Sequence, residues 1–186
     1  MSLRPVAPLT LRIIDACRLV DVFGEWGIHE GEGRLHLPPA TFQGEGRLLN
    51  GVEVALTHRS PLAWRILAGW PIACVRVEIA PEDVPALRIT DGRTVEEWTT
   101  AVLQDQTDSG AYVRELADAA KEVFGPLTCT AQTADGSAAR VQPPIVIFDG
   151  WHRAAAWVAQ LRRGRKYSLT GSLVVTQNPV PLLGVQ

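Results

Sequence analysis

The chain is short of lysine, methionine and cysteine, with two, one and three in 186 residues. The cysteines, Cys17, Cys74 and Cys129, are odd in number and far apart, and none forms a CxxC pair. That excludes a disulfide framework and suits reduced thiols packed as small apolar residues. No apolar run approaches the ~20 residues of a membrane-spanning helix. The N-terminus lacks the charged, apolar and small-residue order of a signal peptide, so a cytoplasmic protein, bacterial or phage-borne, is expected. Charge of one sign is missing as well: 18 basic and 20 acidic residues leave −2. That balance demands neither nucleic acid nor an anionic membrane. GxxxxGK[ST], GxGxxG after a strand, GxSxG and HExxH are all absent, which removes the common nucleotide, hydrolase and metalloprotease signatures. His29, His36 and His58 are scattered without zinc-ligand spacing, so no metal site is expected from them.

What is present is an ordinary globular composition, 46% apolar and 20% charged. A domain of this length buries roughly 70% of its unfolded surface and needs no staple. Sixteen of the 18 basic residues are arginine. Leu9 to Val22 is undecided between strand and helix. Gly31-Glu32-Gly33-Arg34-Leu35 recurs as Gly44-Glu45-Gly46-Arg47-Leu48. With Pro38-Pro39 between the copies, two short strands entered through Gly-Glu-Gly turns are expected, hence a β-rich extension over residues 1–70. Ser60-Pro61 reads as a helix start ended by Gly69. Ile72 to Ile79 alternates, with Val75, Val77 and Ile79 on one face of a strand, and a turn over 80–85 follows. Thr94 and Glu97 form a capping box for a helix to Leu103. Tyr112, Val113, Leu116, Ala120 and Val123 have helical spacing within Ser109–Phe124, stopped by Gly125-Pro126. Residues 128–144, polar and proline-bounded, read as a loop.

The most patterned segment follows. Ile145 to Phe148 is a short β-branched run, so a buried strand. Asp149-Gly150 is a turn. Trp151 to Leu161 is a strong helix former, with Arg162, Arg163, Arg165 and Lys166 at its C-terminal end, where cations suit the dipole. Tyr167 to Thr176 is a further strand. His152 and Arg153 stand in the first turn of that helix, where cations are unfavourable. Two readings account for them. Asp149 caps the helix and pairs with Arg153; or a phosphate sits on the free N–H groups, with Arg153 as a fork of donors and His152 as a point contact. Trp151 either stacks on a purine or packs against the neighbouring loop.

Residues 145–156, Ile-Val-Ile-Phe-Asp-Gly-Trp-His-Arg-Ala-Ala-Ala, resemble the signature of the ParB/sulfiredoxin superfamily: strand, D-G-x-H-R turn, Ala-rich helix. Val75 to Val84 resembles the strand and acidic turn that open such domains. The resemblance spans about 72–176. It implies an α+β domain with a small mixed sheet over 71–177 and a tail over 178–186. It also implies that the turn (Asp149, Gly150, Trp151, His152, Arg153) holds nucleotide phosphates, with ATP or another nucleotide and Mg²⁺ as cofactors. In the serine kinases of the superfamily an acidic residue in the earlier turn is the base, and Glu82 aligns with it. Glu82 and His152 are therefore the expected catalytic residues. The position that is Cys in sulfiredoxins is Trp151, which argues against their chemistry, and the helix-turn-helix of partition proteins is not expected after Thr176. The expected function is ATP- or ADP-dependent phosphotransfer to a small hydroxyl-bearing metabolite, or nucleotide hydrolysis. The alternatives are a non-catalytic nucleotide-dependent DNA-associated module and a ParB-like nuclease. No membrane partner is expected.

Overall fold

Alternating apolar residues and helix-forming stretches resolve into three layers in the computed structural model. It describes residues 9–119, 122, 125–133, 135 and 137–180. The elements in chain order are β1 (Arg12–Ala16), α1 (Leu19–Gly33), α2 (Arg47–His58), α3 (Ser60–Ala68), β2 (Pro71–Ile79), β3 (Leu87–Ile89), α4 (Val95–Gln104), α5 (Asp108–Asp118), β4 (Leu127–Thr133), β5 (Val141–Asp149), α6 (Trp151–Arg162) and β6 (Leu169–Thr176). Short 3₁₀ turns stand at Pro39–Phe42, Pro81–Ala86 and Ala138–Arg140. The strands form one mixed sheet in the order β1-β2-β6-β4-β5-β3. Pairing is antiparallel except for β4 with β6 and β3 with β5. The expected α+β fold with a small mixed sheet and flanking helices is therefore what the chain forms.

Strand residues alternate between two cores because successive side chains leave a strand on opposite faces. Val75, Val77 and Ile79, with Ile145, Ile147, Leu173 and Val175, pack under α4, α5 and α6. Cys74, Val146, Phe148 and Val174 pack on the other face against Val22, Phe23 and Trp26 of α1, Ala55 of α2, and Leu62, Ala63 and Ile66 of α3. Both faces are covered, which is why Ile145 to Phe148 reads as an unbroken apolar run. The anchor of the first core is Trp157, fully buried, whose indole N–H donates to the Tyr167 carbonyl at 3.0 Å.

The segment before residue 70 differs from expectation. Among its described residues it is not β-rich: one strand, β1, is followed by three helices. The two Gly-Glu-Gly copies are not strand turns. The first lies at the end of α1 and the second just precedes α2. Glycine is a poor helix former, but here it permits close packing. A Cβ on Gly27 would stand 1.7 Å from the Gly51 carbonyl oxygen, so α1 and α2 cross nearly backbone to backbone. That packing keeps α1 and α2 helical despite their glycines; of the repeat's own glycines only Gly31 is crowded, against the Phe42 ring.

Residues 128–144 are not a loop. They supply most of β4, an interior strand almost wholly buried, and the start of β5. Thr128, Thr130 and Thr133 made the segment read as polar, yet threonine is β-branched and packs well in a sheet. Gly150, not Asp149, is the N-cap of α6, and Arg59, not Ser60, precedes α3. The α4 capping box is as expected, with the Thr94 hydroxyl accepting from the Glu97 N–H at 3.0 Å. The described part of α5 ends at Asp118; the expected continuation through Ala120, Val123 and Phe124 lies outside the described residues.

Candidate functional site

The turn between β5 and α6 requires glycine. Gly150 has φ +88°, a region other residues avoid. A Cβ there would lie 2.6 Å from Leu127 Cδ2 and 3.0 Å from Arg153 Nη2. No side chain caps the N-terminus of α6, and its first helical bond runs from the Ala154 N–H to the Gly150 carbonyl. The N–H groups of the first turn, with their partial positive charge, therefore face outward from the helix end. Just before the turn the register slips: Cys129 pairs with Ile147, but Thr128 pairs with Asp149. This extra β5 residue brings Asp149 to the face that Phe148 occupies, toward α1.

Arg153 ties this turn to distant parts of the chain. Its Nη2 donates to Asp149 Oδ2 at 3.0 Å and to the Pro126 carbonyl at 2.9 Å. Its Nη1 lies 3.0 Å from Nε2 of His29 in α1. A guanidinium only donates, so Nε2 of His29 is the ring nitrogen without a proton. The Asp149 and Arg153 side chains are 18% and 14% exposed, and Nε of Arg153 is buried without a partner. The expected Asp149–Arg153 pair is thus present and largely buried, and Arg153 acts first as a clasp.

Around the clasp lie three adjoining cavities. One, of about 300 Å³, is lined by His29, Glu30, Gly33, Arg34, Arg59, Tyr112, Asp149, Gly150, His152 and Arg153. A second, of about 160 Å³, is bounded by Arg59, Leu62 and Phe148 to His152. A third, of about 480 Å³, lies on the sheet face beneath α1. In the first, Glu30 is 4% exposed and is held by Arg59 at 2.6 Å and Arg34 at 3.5 Å. Three guanidinium groups there meet two carboxylates, so positive charge is in excess. The His152 ring stands edge-on to Tyr112 at 5.8 Å and to Trp98 at 6.4 Å. Burial in this setting holds its pKa below the usual histidine value, so its neutral form prevails near pH 7.

Asp149, Gly150, His152 and Arg153 thus share one cavity, as the turn suggested. Trp151 lines the smaller one; its indole N–H donates to the Ile147 carbonyl at 2.8 Å and it packs against the first core. Glu82 is exposed on the 3₁₀ turn and lines none of the three cavities. Its neighbour Asp83 is buried and accepts from the Thr10 N–H and hydroxyl and the Ala80 N–H. Sequence reasoning missed His29, Glu30, Arg34, Arg59 and Tyr112. The i,i+4 spacing of Glu30 and Arg34 is a usable signal only once α1 is read as a helix.

No family model matches the chain, and comparison with curated proteins and with solved structures returns no significant match. Among the described residues no group of three or more His, Cys, Asp or Glu is placed to hold a metal ion, and no helix is long and apolar enough to cross a membrane.

Proposed function

We propose that the cavity at the β5–α6 turn binds the phosphates of a nucleotide and that the protein transfers or hydrolyses the terminal one. One observation carries this reading. Arg34 from the end of α1, Arg59 from the α2–α3 junction and Arg153 from α6 converge on one cavity with the uncapped first turn of α6. Guanidinium forks and helix N–H groups are the donors that phosphate oxygens take. Tyr112, 48% exposed on the same cavity, offers a ring face to a base, a role Trp151 is less free to fill with its N–H engaged.

The parts divide differently from the expectation drawn on sequence. Arg153 orients the turn, while Arg34 and Arg59 are the nearer sources of charge for a ligand. Of the two carboxylates at the cavity, Glu30 is held between Arg34 and Arg59, so Asp149, rather than Glu30 or the remote Glu82, is suited to meet a Mg²⁺ carried in by ATP or ADP, or to take a proton from an acceptor hydroxyl. His152, neutral, can accept or donate one hydrogen bond. Phosphoryl transfer rests largely on such positioning and charge neutralisation.

Calorimetric titration of ATP, ADP, GTP and CTP with Mg²⁺ tests the reading, alongside phosphate-release assays. Binding of one nucleotide, weakened about tenfold (~1.4 kcal/mol) in Arg34→Ala, is the expected outcome. Arg34 is 65% exposed at its side chain and can be removed with little risk to the fold. Absence of binding by all four nucleotides would leave the turn as a purely structural device.

A further inference from the structure

We propose that the cavity between α1 and the sheet is a second binding site, for a small hydroxylated monoanion of the sugar-acid class. This goes beyond the phosphate reading and does not depend on it.

The floor of the cavity is a single row across four adjacent strands. Arg76 of β2 pairs with Ser172 of β6, Ser172 with Thr128 of β4, and Thr128 with Asp149 of β5. Elsewhere this face of the sheet is apolar, with Cys74, Val146, Phe148 and Val174 packed against the helices. A row laid under a helix for packing alone would be apolar too. This row is polar throughout, and it faces a space of about 480 Å³ rather than packed side chains. That volume suits a small organic ligand and exceeds what a bare phosphate ion needs.

The unmet groups define the ligand. Thr128 and Ser172 are 6% and 5% exposed, and neither hydroxyl has a hydrogen-bond partner among the described residues. Trp26 of α1, 3% exposed, lines the cavity with its indole N–H unpartnered. The Thr128 and Ser172 hydroxyls, unpartnered but accessible, offer donors and acceptors to a ligand bearing both hydroxyls and acceptor oxygens, and of the three groups the Trp26 N–H is the one sealed from solvent without a partner, at a cost of about 1–3 kcal/mol. Charge sets the rest. Arg76 is paired with Glu25 at 2.9 Å and Arg153 with Asp149 at 3.0 Å. Arg47, the first residue of α2, lines the same cavity, and its guanidinium has no ion-pair or hydrogen-bond partner among the described residues. One unopposed guanidinium selects one negative charge, and its planar fork fits a carboxylate.

The Trp26 indole N–H is the reporter. Its ¹H–¹⁵N resonance, assigned by its loss in Trp26→Phe, is followed while D-glycerate, D-gluconate or D-glucuronate is added to the full chain at millimolar concentration. Glycerol, glucose, propionate and inorganic phosphate serve as controls. The expected result is a saturable shift with at least one sugar acid and none with the uncharged polyols. Affinity should fall about tenfold in Arg47→Ala. In Ser172→Ala the preference for glycerate over propionate should disappear. Arg34→Ala, which weakens nucleotide binding at the neighbouring cavity, should leave the sugar-acid titration unchanged, so the two readings fail separately. The proposal is overturned if no acid shifts the resonance, if the polyols shift it equally, or if Arg47→Ala binds as tightly as the unaltered chain.

Discussion

Arg153 reaches His29 across 124 positions of sequence, with Nη1 and Nε2 3.0 Å apart, while its other terminal nitrogen holds Asp149 one turn back. One side chain therefore joins α1, the segment before β4, and the end of β5. Removing either partner of the largely buried Asp149–Arg153 pair leaves a poorly solvated charge. Asp149→Asn and Arg153→Ala should each destabilise by ~1–3 kcal/mol in urea unfolding. Arg153→Lys should not restore the loss, because a single ammonium lacks the fork that spans the Asp149, Pro126 and His29 positions. Full stability in Arg153→Lys would show that charge alone holds the turn.

Gly150 stands where any side chain meets both Leu127 and the clasp. Gly150→Ala combines a left-handed backbone with that crowding and should cost ~1–3 kcal/mol. Thermal melts give the stability. A variant as stable as the original would mean that the turn relaxes freely.

Gly27 and Gly51 meet where α1 crosses α2, and a Cβ on Gly27 overlaps the Gly51 carbonyl. Gly27→Ala should force the helices apart and destabilise by ~1–3 kcal/mol or more, although alanine is the better helix former. If Gly27→Ala raised the melting temperature, helix propensity rather than close packing would govern this crossing.

His152 introduces a pH dependence with a definite sign. Its folded pKa is lowered by burial, so below the unfolded value near 6.5 the unfolded chain binds more protons. Its contribution to stability is therefore present above that pH and is lost as pH falls through the folded pKa. Urea titrations at pH 7.5 and 5 should show a smaller stability loss on acidification in His152→Gln than in the unaltered chain. Equal losses would exclude His152 as the group responsible.

Burial pushes the Cys74 thiol up to about 12 and raises that of Cys129 further. At pH 8 only ~1 in 10⁴ Cys74 side chains would be thiolate, the nucleophilic form. Mass spectrometry after iodoacetamide treatment should find both unmodified in the folded chain and modified in urea, with the partly exposed Cys17 reacting first. Rapid modification of Cys74 in the folded chain would show that the α3-covered face opens readily.

The segments that sequence alone determined are those whose signals are local. The Thr94–Glu97 capping box, the alternation of Val75, Val77 and Ile79, and the succession of apolar strand, Asp-Gly turn and alanine-rich helix each depend on neighbours a few residues apart. From them the α+β class and the Asp149–Arg153 turn could be read. Tertiary structure decided the rest. The glycines of α1 and α2 look like turn residues until each helix supplies the other's missing surface. The threonines of β4 look like a loop until strands pair on both sides. Above all, the surroundings of the turn came from residues 29–59, a stretch whose sequence looked unrelated to it. Nothing local in His29, Glu30, Arg34 or Arg59 marks them as neighbours of residue 153. They meet because α1 lies across the sheet face that the register slip at Phe148 turns Asp149 toward, and that juxtaposition exists only in the folded chain.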